Sequence, residues 1–582
     1  MATPTIEKKI KDLLAEDKKP VGVVGSPSDS FEVTIDIREI SAEDKLLGEL
    51  VCFLVKEGER DILVLGQITD IKTENKWHEE PSFKSVIKRH GSLPHLSGSA
   101  DNRIATIAVQ SSFNLGKDEE LAAEAHKLAN SPSTGQQVKR VTDNIMKILM
   151  KKHSEGLLCI GKAYDTDVRM PFWFKHFGDP DKGGYGEAHH IGVFGRTGSG
   201  KTTVAANMIL GYAKNHEHMS ILILDPKGQF YEDSKVLADG SKFEDKVKAT
   251  GMKYEKYKVP ADVALPDDSS LFSELLFTHG FIRKAFNIKT EEKQILMQES
   301  IEEYVQSRID FDPTFRIGKD ADTFLTQIFK AFNSEDNAHY LSNVYAKGQY
   351  LNNLKDTVKA VAEDTRPLTP AIKKTWTDVC SLFNEDGKTP LTSIIQKIVS
   401  EKGNTVVLDI RRDHLLANSE NLQALFIKLI EQKIVNEGAV AYSNGGLNCL
   451  IVMDEAHRFI ATNSFDERVQ QLSTKIIDSV RTTRQYGIGY MFITQTLESL
   501  HEEIRRQMRI SAFGYGLTSG NEFNKIRDIV NDDAAARFYR SFIDPTSNGK
   551  YPFMFYGPIS PLSFTGSPLF IEVDKELTDF KS

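Results

Sequence analysis

Cysteine is almost missing from this chain. Four occur among 582 residues, Cys52, Cys159, Cys380 and Cys449, far apart and never in CxxC spacing. That excludes a zinc ribbon or a disulfide framework and fits a reducing cytosol. No apolar run approaches the ~18 residues of a membrane span. The first residues, MATPTIEKKIKDLLAED, lack the apolar centre of a secretory signal. The expectation is a soluble, cytoplasmic protein with no membrane association. Positive charge is not in excess either: 73 Lys and Arg stand against 82 Asp and Glu, a net charge of −9. The surface as a whole therefore does not attract nucleic acid, and any DNA contact has to come from a local basic patch or a channel lined by several subunits. Internal repeats and low-complexity tracts are absent too.

What is present has the balance of a globular protein, 40% apolar and 27% charged, with length for three or four structural units. The first third reads as strands. FEVTIDI (Phe31 to Ile37) alternates apolar with polar residues, ELVCFLV and DILVLGQITDI flank the turn KEGER, and RIATIAV (Arg103 to Val109) continues the pattern. Residues 117–155 look helical, and GLLCIGKA and DVRMPFWF look like two further strands. Many short strands with turn signals point to a small barrel over residues 1–176. GDPDKGGYGEA (Gly178 to Ala188) reads as a linker. The texture then changes. HIGVFG, SILILD, NTVVLDI, LNCLIVMD and GYMFITQ are bare apolar runs alternating with helical patterns, which suits a parallel sheet buried on both faces. Between the second and third of these lies a helical insertion, residues 264–401. It divides an α/β core into 177–263 and 402–582.

The stretch from Gly195 to Thr202, GRTGSGKT, matches G-x-x-x-x-G-K-[ST] in full. At average composition, four such fixed positions arise by chance in a chain this long only about 2% of the time. A strand precedes the motif and a helix follows, with Val204, Met208 and Tyr212 at helical spacing. Glycines at 195, 198 and 200 let the backbone wrap and aim N–H groups at phosphate oxygens, and the helix presents its positive end to the same charge. Thr197, Ser199 and Thr203 complete the candidate binding loop. Lys201 would reach the β- and γ-phosphates, and the Thr202 hydroxyl would bind Mg²⁺. ATP and Mg²⁺ are thus the expected ligands.

CLIVMDEAH ends an apolar strand on Asp454-Glu455. In a phosphate-loop fold a neighbouring strand delivers an acid to Mg²⁺, the role expected for Asp454. A second acid, Glu455, can take a proton from the attacking water. His457 and Arg458 follow as residues that could hold Glu455 in place. GYMFITQ ends on Thr494-Gln495, where the Gln495 amide could orient water or report phosphate release. Asp225 in ILILDPKGQF and Asp409 in VVLDIRR are alternative strand tips that could equally cap a turn. Arg481 and Arg484, in SVRTTRQYG, stand just before the Gln495 strand, and one of the pair could serve a neighbouring subunit's site.

Taken in order, HIGVFGRTGSGKTT, ILDPKGQF, IVMDEAHRF and RTTRQYGIGYMFITQT resemble the HerA group of the HerA/FtsK ATPases. The resemblance implies an α/β fold: a RecA-like P-loop core, an N-terminal HAS-barrel-like domain and an inserted helical subdomain. It also implies a homo-hexameric ring that hydrolyses ATP between subunits and draws duplex DNA through a central channel. The partner would be a NurA-like nuclease or an anti-phage effector, such as a sirtuin-like NADase or another nuclease. Two departures stand out. Gln229 occupies a place where relatives often carry an acid, and RTTRQYG is looser than the usual REGRKYG type. No nuclease, deacetylase or NADase motif is apparent, so cutting or NAD chemistry would belong to the partner. Within a ring, KVKATGMKYEKYK (Lys246 to Lys258) and RRQMR (Arg505 to Arg509) are candidate channel segments. An assembly platform that organises and activates an effector is the second reading. A secretion or conjugation ATPase is a third, disfavoured by the lack of a membrane segment.

Overall fold

The computed structural model describes residues 5–115, 124–151, 156–175, 188–214, 219–233, 236–411, 420–441, 447–460, 467–563 and 566–580. The Gly-rich stretch from Gly178 to Glu187 lies outside the described residues. Among the described residues seven strands come first: β1 (Gly22–Ser28), β2 (Glu32–Ile37), β3 (Leu50–Glu57), β4 (Arg60–Glu74), β5 (Asn102–Asn114), β6 (Glu124–His126) and β7 (Gln137–Arg140). Pairing runs β2-β1-β7-β3-β4-β5 and returns from β5 to β2, so six strands close into a barrel, with β6 added along β5. The hairpin between β3 and β4 turns at Gly58, whose φ of 64° suits glycine.

The bare apolar runs of β3 and β4 have a simple cause. Val51, Phe53, Ile62 and Val64 fill the barrel. Their neighbours Leu50, Cys52, Leu63 and Leu65 belong to a second core shared with the α/β sheet. Both faces are buried, so strict alternation disappears.

Among the described residues eleven strands form the main sheet. They are β8 (Leu157–Ala163), β9 (Phe172–Trp173), β10 (His190–Phe194), β11 (Ser220–Asp225), β12 (Lys253–Lys258), β15 (Asn404–Asp409), β16 (Cys449–Met453), β17 (Ile488–Thr494), β18 (Met508–Gly514), β19 (Tyr551–Tyr556) and β20 (Leu569–Asp579). A two-residue pairing of β13 (Val263–Ala264) with β14 (Thr389–Pro390) stands apart. The order is β12-β15-β11-β16-β17-β10-β18-β19-β20-β8-β9. From β12 to β18 every pairing is parallel, and from β18 to β9 every pairing is antiparallel. All five strands expected from the sequence, β10, β11, β15, β16 and β17, lie in the parallel part and are buried at every residue. Eight helices, from Ser269–Thr278 to Leu391–Ser400, separate β11 from β15. Their core gathers Phe272, Phe281 and Phe324 around a fully buried Trp376, whose indole N–H donates to Ala321 O at 2.7 Å.

Two expectations need correction. Of residues 117–155, the described part is helical only over Asp143–Leu149; β6 and β7 precede that helix. The strands at 157–163 and 172–173 do not extend the barrel. β8 pairs with β20, some four hundred residues away in sequence, and lies one strand in from the far edge of the main sheet, which is β9. A short apolar strand carries no mark of its distant partner.

The barrel is fastened to β20 by two buried glutamines. Gln67 Nε2 donates to Phe570 O at 3.0 Å and to Gly48 O at 3.1 Å, while Gln67 Oε1 accepts from Phe570 N at 3.0 Å. Gln110 Nε2 donates to Gln67 Oε1 at 2.7 Å and to Pro568 O at 2.9 Å. The Gln67 amide thus pairs with β20 as a strand would. Gln67→Leu leaves the Phe570 N–H buried and unmatched, while Phe570 O keeps its bond from Tyr164 N at 2.9 Å. We predict that its opening free energy, read as hydrogen exchange at the Phe570 amide, falls by about 1–3 kcal/mol; unchanged exchange would show that the glutamine is not the fastening.

Candidate nucleotide site

β10 ends at Phe194 and the helix Lys201–Lys214 begins seven residues later. The loop between them turns on Gly195, Gly198 and Gly200, at φ of 153°, 84° and 87°. A Cβ on Gly195 would come 2.5 Å from Ser199 Oγ, and one on Gly200 would come 2.5 Å from the Tyr551 ring. Glycine is therefore required twice over at these positions, by conformation and by space. Behind the loop, Val204, Met208 and Tyr212 are fully buried, as their spacing suggested. Thr203 is buried too, and so is Ser199, whose hydroxyl has no hydrogen-bond partner among the described residues. Lys201 Nζ donates to Arg196 O at 3.0 Å, inside its own loop. Burial pulls the Lys201 ammonium down to about 8, against the opposing pull of Glu455 and Asp454.

The acids arrive on β16. Asp454 and Glu455 follow a fully buried strand and are themselves buried. Glu455 has φ of 48°, in the left-handed region that a non-glycine residue enters at a cost of about 1–3 kcal/mol. Its carboxylate is held on all sides. Lys227 Nζ pairs with Oε1, His457 Nδ1 lies 3.3 Å from Oε2, and Gln495 Nε2 donates to Oε2 at 3.5 Å. Burial pushes the Glu455 carboxyl up, but the Lys227 hydrogen bond and charge, with His457 and Lys201, bring it below the usual range. Asp454 goes the other way. Burial, then the charges of Asp225 and Glu455, raise it to about 7. Its Oδ2 is buried with no hydrogen-bond partner among the described residues.

One contact network joins these groups to the phosphate loop. Thr197 Oγ1 donates to Gln495 Oε1 at 3.4 Å, and Gln495 reaches Glu455. Thr202 Oγ1 donates to Gln229 Oε1 at 3.2 Å, two residues beyond Lys227. The strand order corrects one expectation. β16 does not adjoin β10; β17, with Gln495 at its tip, lies between them. Two strand spacings, about 10 Å, separate the acids' strand from the loop's strand, and the Gln495 amide bridges that gap.

Asp225 and Asp409 prove to be turn caps. Asp225 accepts backbone N–H bonds from Lys227, Gln229 and Tyr231 at 3.2, 3.1 and 2.9 Å. Asp409 accepts from Arg411, whose Nη2 lies 2.7 Å away. Lys227 is the residue that sequence reasoning missed. Its signal stood in ILDPKGQF, where Gln229 drew notice only as a departure.

Arg481 and Arg484 lie elsewhere. Arg481 is exposed and sits 3.4 Å from Glu503. Arg484 O accepts from Ala188 N at 3.4 Å and from Gly487 N at 3.0 Å, which places it beside the start of β10. Both arginines precede β17, a strand of seven residues and so about 20 Å from end to end, with Gln495 beyond its far end. Neither arginine is therefore in its own chain's cluster. The candidate channel segments are largely satisfied within the chain. Lys246 pairs with Glu576 and Asp239, Lys248 and Lys256 with Glu244, and Lys253 with Glu401. Arg505 donates to Leu497 O and Leu500 O at 2.6 and 2.7 Å and caps a turn.

A glycine loop between a buried parallel strand and a helix, faced by acids and a glutamine on nearby strand tips, defines the chain as a P-loop ATPase-type protein. Residues 188–382, about a third of the chain, match the family model described as Helicase HerA, central domain. No curated protein matches the sequence. Among solved structures, VirB4 of Thermoanaerobacter pseudethanolicus is 13% identical, with 72% of this chain and 96% of that one covered and a TM-score of 0.38. The pCW3 conjugation coupling protein TcpA is 9% identical, with 90% and 87% covered and a TM-score of 0.25. The genome packaging NTPase B204 from Sulfolobus turreted icosahedral virus 2, in complex with AMPPCP, is 17% identical, with 31% and 72% covered and a TM-score of 0.21. At these scores the likenesses are too remote to assign an activity. Among the described residues no helix is long and apolar enough to cross a membrane.

The strand that carries the loop depends on a neutral histidine. His190 is fully buried; Nε2 donates to Val480 O at 2.8 Å and Nδ1 accepts from Tyr490 N at 3.2 Å. A proton on Nδ1 would break the second bond, and burial lowers the imidazole to about 4 from 6.5. The unfolded chain takes up this proton first as pH falls, so the stability contribution is complete above pH 6.5 and is lost between pH 6.5 and about 4. The loss is on the order of 3 kcal/mol. Urea unfolding of the core across this range should show that slope, and His190→Leu should lack it; equal slopes would refute the neutral assignment.

Proposed function

We propose that this chain is an ATP-hydrolysing motor that assembles as a homo-hexameric ring and moves duplex DNA through its channel. The observation that carries this reading is the continuous network from Thr197 through Gln495 to Glu455. It places a carboxylate and an amide opposite a complete phosphate loop. The loop N–H groups, Lys201 and the start of the following helix would hold the phosphates. Glu455 would take the proton of the attacking water, and Gln495 would orient that water. Thr202 and Asp454 would hold Mg²⁺, which when bound supplies positive charge to the phosphates; the unpartnered, buried Asp454 oxygen fits a cation. Among the described residues no cluster of three or more His, Cys, Asp or Glu could hold a metal, so the ion would share its coordination with hydroxyl and phosphate oxygens.

The position of the arginines supports action between subunits. Arg481 and Arg484 are a strand's length from their own site, so either could stabilise phosphoryl-transfer charge only in a neighbour's. The channel would be lined by repeated loops, where modest basic charge suffices against one phosphate per about 1.7 Å of duplex. The family resemblance supplies the partner class, a NurA-like nuclease or an anti-phage effector such as a sirtuin-like NADase.

Phosphate release by the purified chain tests the reading. Lys201→Ala abolishes turnover, and Glu455→Gln lowers it by about 10²–10⁴-fold while nucleotide binding persists. At least one of Arg481→Ala and Arg484→Ala loses hydrolysis without losing ATP binding, by up to about 10³-fold or more. In rings mixed with unaltered subunits the defect exceeds simple dilution. Duplex DNA raises the turnover of the unaltered chain. Full activity in Lys201→Ala would defeat the site assignment. Turnover indifferent to DNA would leave an assembly platform as the better account.

A further inference from the structure

We propose that Lys227 is a second phosphate-binding lysine, one that exchanges the Glu455 carboxylate for the terminal phosphate of a nucleoside triphosphate. The inference rests on the reading of this site as one for ATP. It begins from the turn after β11. Three backbone N–H bonds to Asp225 fix that turn. Gly228, at φ of 73°, lies against the Arg411 guanidinium, where a Cβ would come 2.5 Å from Cζ. The backbone of Lys227 is therefore held by several contacts. Its side chain has more freedom: a third of it is exposed, and four rotatable bonds separate Nζ from the chain.

The same turn touches the phosphate loop. Gln229 holds the Thr202 hydroxyl at 3.2 Å, so Lys227 stands beside the residue expected to face the phosphates and metal. Its charge is also felt by Lys201. Two lysines thus act on the one Glu455 carboxylate, Lys201 from the start of the helix and Lys227 from the turn.

The present partner of Lys227 cannot keep it during hydrolysis. Oε1 of Glu455 is taken by Lys227, and Oε2 is engaged by His457 and Gln495. A carboxylate so neutralised is a poor proton acceptor. A terminal phosphate brings at least one further negative charge into a site that already holds Asp454 and Glu455, and a mobile ammonium will pair with it. One movement would then bind the phosphate and release the base. A diphosphate lacks that group and leaves Lys227 on Glu455. Lys227 would in this way distinguish triphosphate from diphosphate.

Isothermal titration calorimetry of the full chain with Mg²⁺ and either AMPPCP, a non-hydrolysable triphosphate, or ADP tests this without any turnover. Lys227→Ala should weaken AMPPCP about tenfold or more, the loss of one charge-assisted hydrogen bond, and leave ADP within about twofold. Lys227→Met, which keeps the length of the stem, should behave alike, and Lys227→Arg should keep most of the AMPPCP affinity. Retained ADP binding also reports that each variant is folded. Equal weakening of both nucleotides, or none of either, overturns the proposal. Failure of the unaltered chain to bind either nucleotide is a separate result that removes the ATP-site reading itself and the proposal with it.

Discussion

A carboxylate left only 5% exposed is costly to keep charged, and at Glu455 that cost is offset first by Lys227 and further by His457 and Lys201. The local structure depends on the pairing with Lys227. It ties the turn after β11 to the tip of β16, whose strands lie side by side although these parts of the chain are more than two hundred residues apart. It accompanies a left-handed backbone at Glu455, which sets that residue apart from the extended strand behind it. It leaves Asp454, one residue earlier, without such a partner, so two adjacent acids have opposite proton affinities. Their environments separate the roles proposed for them, a metal-side ligand and a water-side base.

The site lies where it does because of burial along the strands. β10, β11, β15, β16 and β17 are inaccessible at every position. Their interiors consequently hold apolar and small residues, with few polar exceptions. Polar chemistry can begin only where a strand emerges, and in a parallel sheet the like ends emerge together. Gly195, Asp225, Asp409, Asp454 and Gln495 all mark such ends. Two of them, Asp225 and Asp409, organise turns, and the turns in turn hold Lys227 and Arg411.

Long-range pairing shapes the rest. The C-terminal strand β20 pairs with β8 on one side and, through Gln67, fastens the barrel. The first and last parts of the chain therefore meet near one edge of the sheet. Tyr551, beside β19's start, also closes over Gly200 of the phosphate loop. The C-terminal hairpin is thereby linked to both the barrel and the loop.

Local order alone determined the phosphate loop, because its glycines, lysine and threonine act within a dozen residues. It determined the five central strands, because burial on both faces leaves an unbroken apolar run. It also showed the acidic and glutamine strand tips, and the helical character of the insertion from periodicity. Tertiary structure alone decided which strands adjoin, and so placed Gln495 between the acids and the loop. It moved Leu157–Ala163 out of the barrel and into the main sheet beside β20, since a strand's sequence does not record a partner hundreds of residues away. It turned KYEKYK into an edge strand in which Lys253 and Lys256 meet carboxylates. It brought Lys227 to Glu455. A lysine in a turn looks like any surface charge until folding brings a buried acid beside it, because electrostatic pairing depends on distance in space, and sequence separation says nothing of that distance.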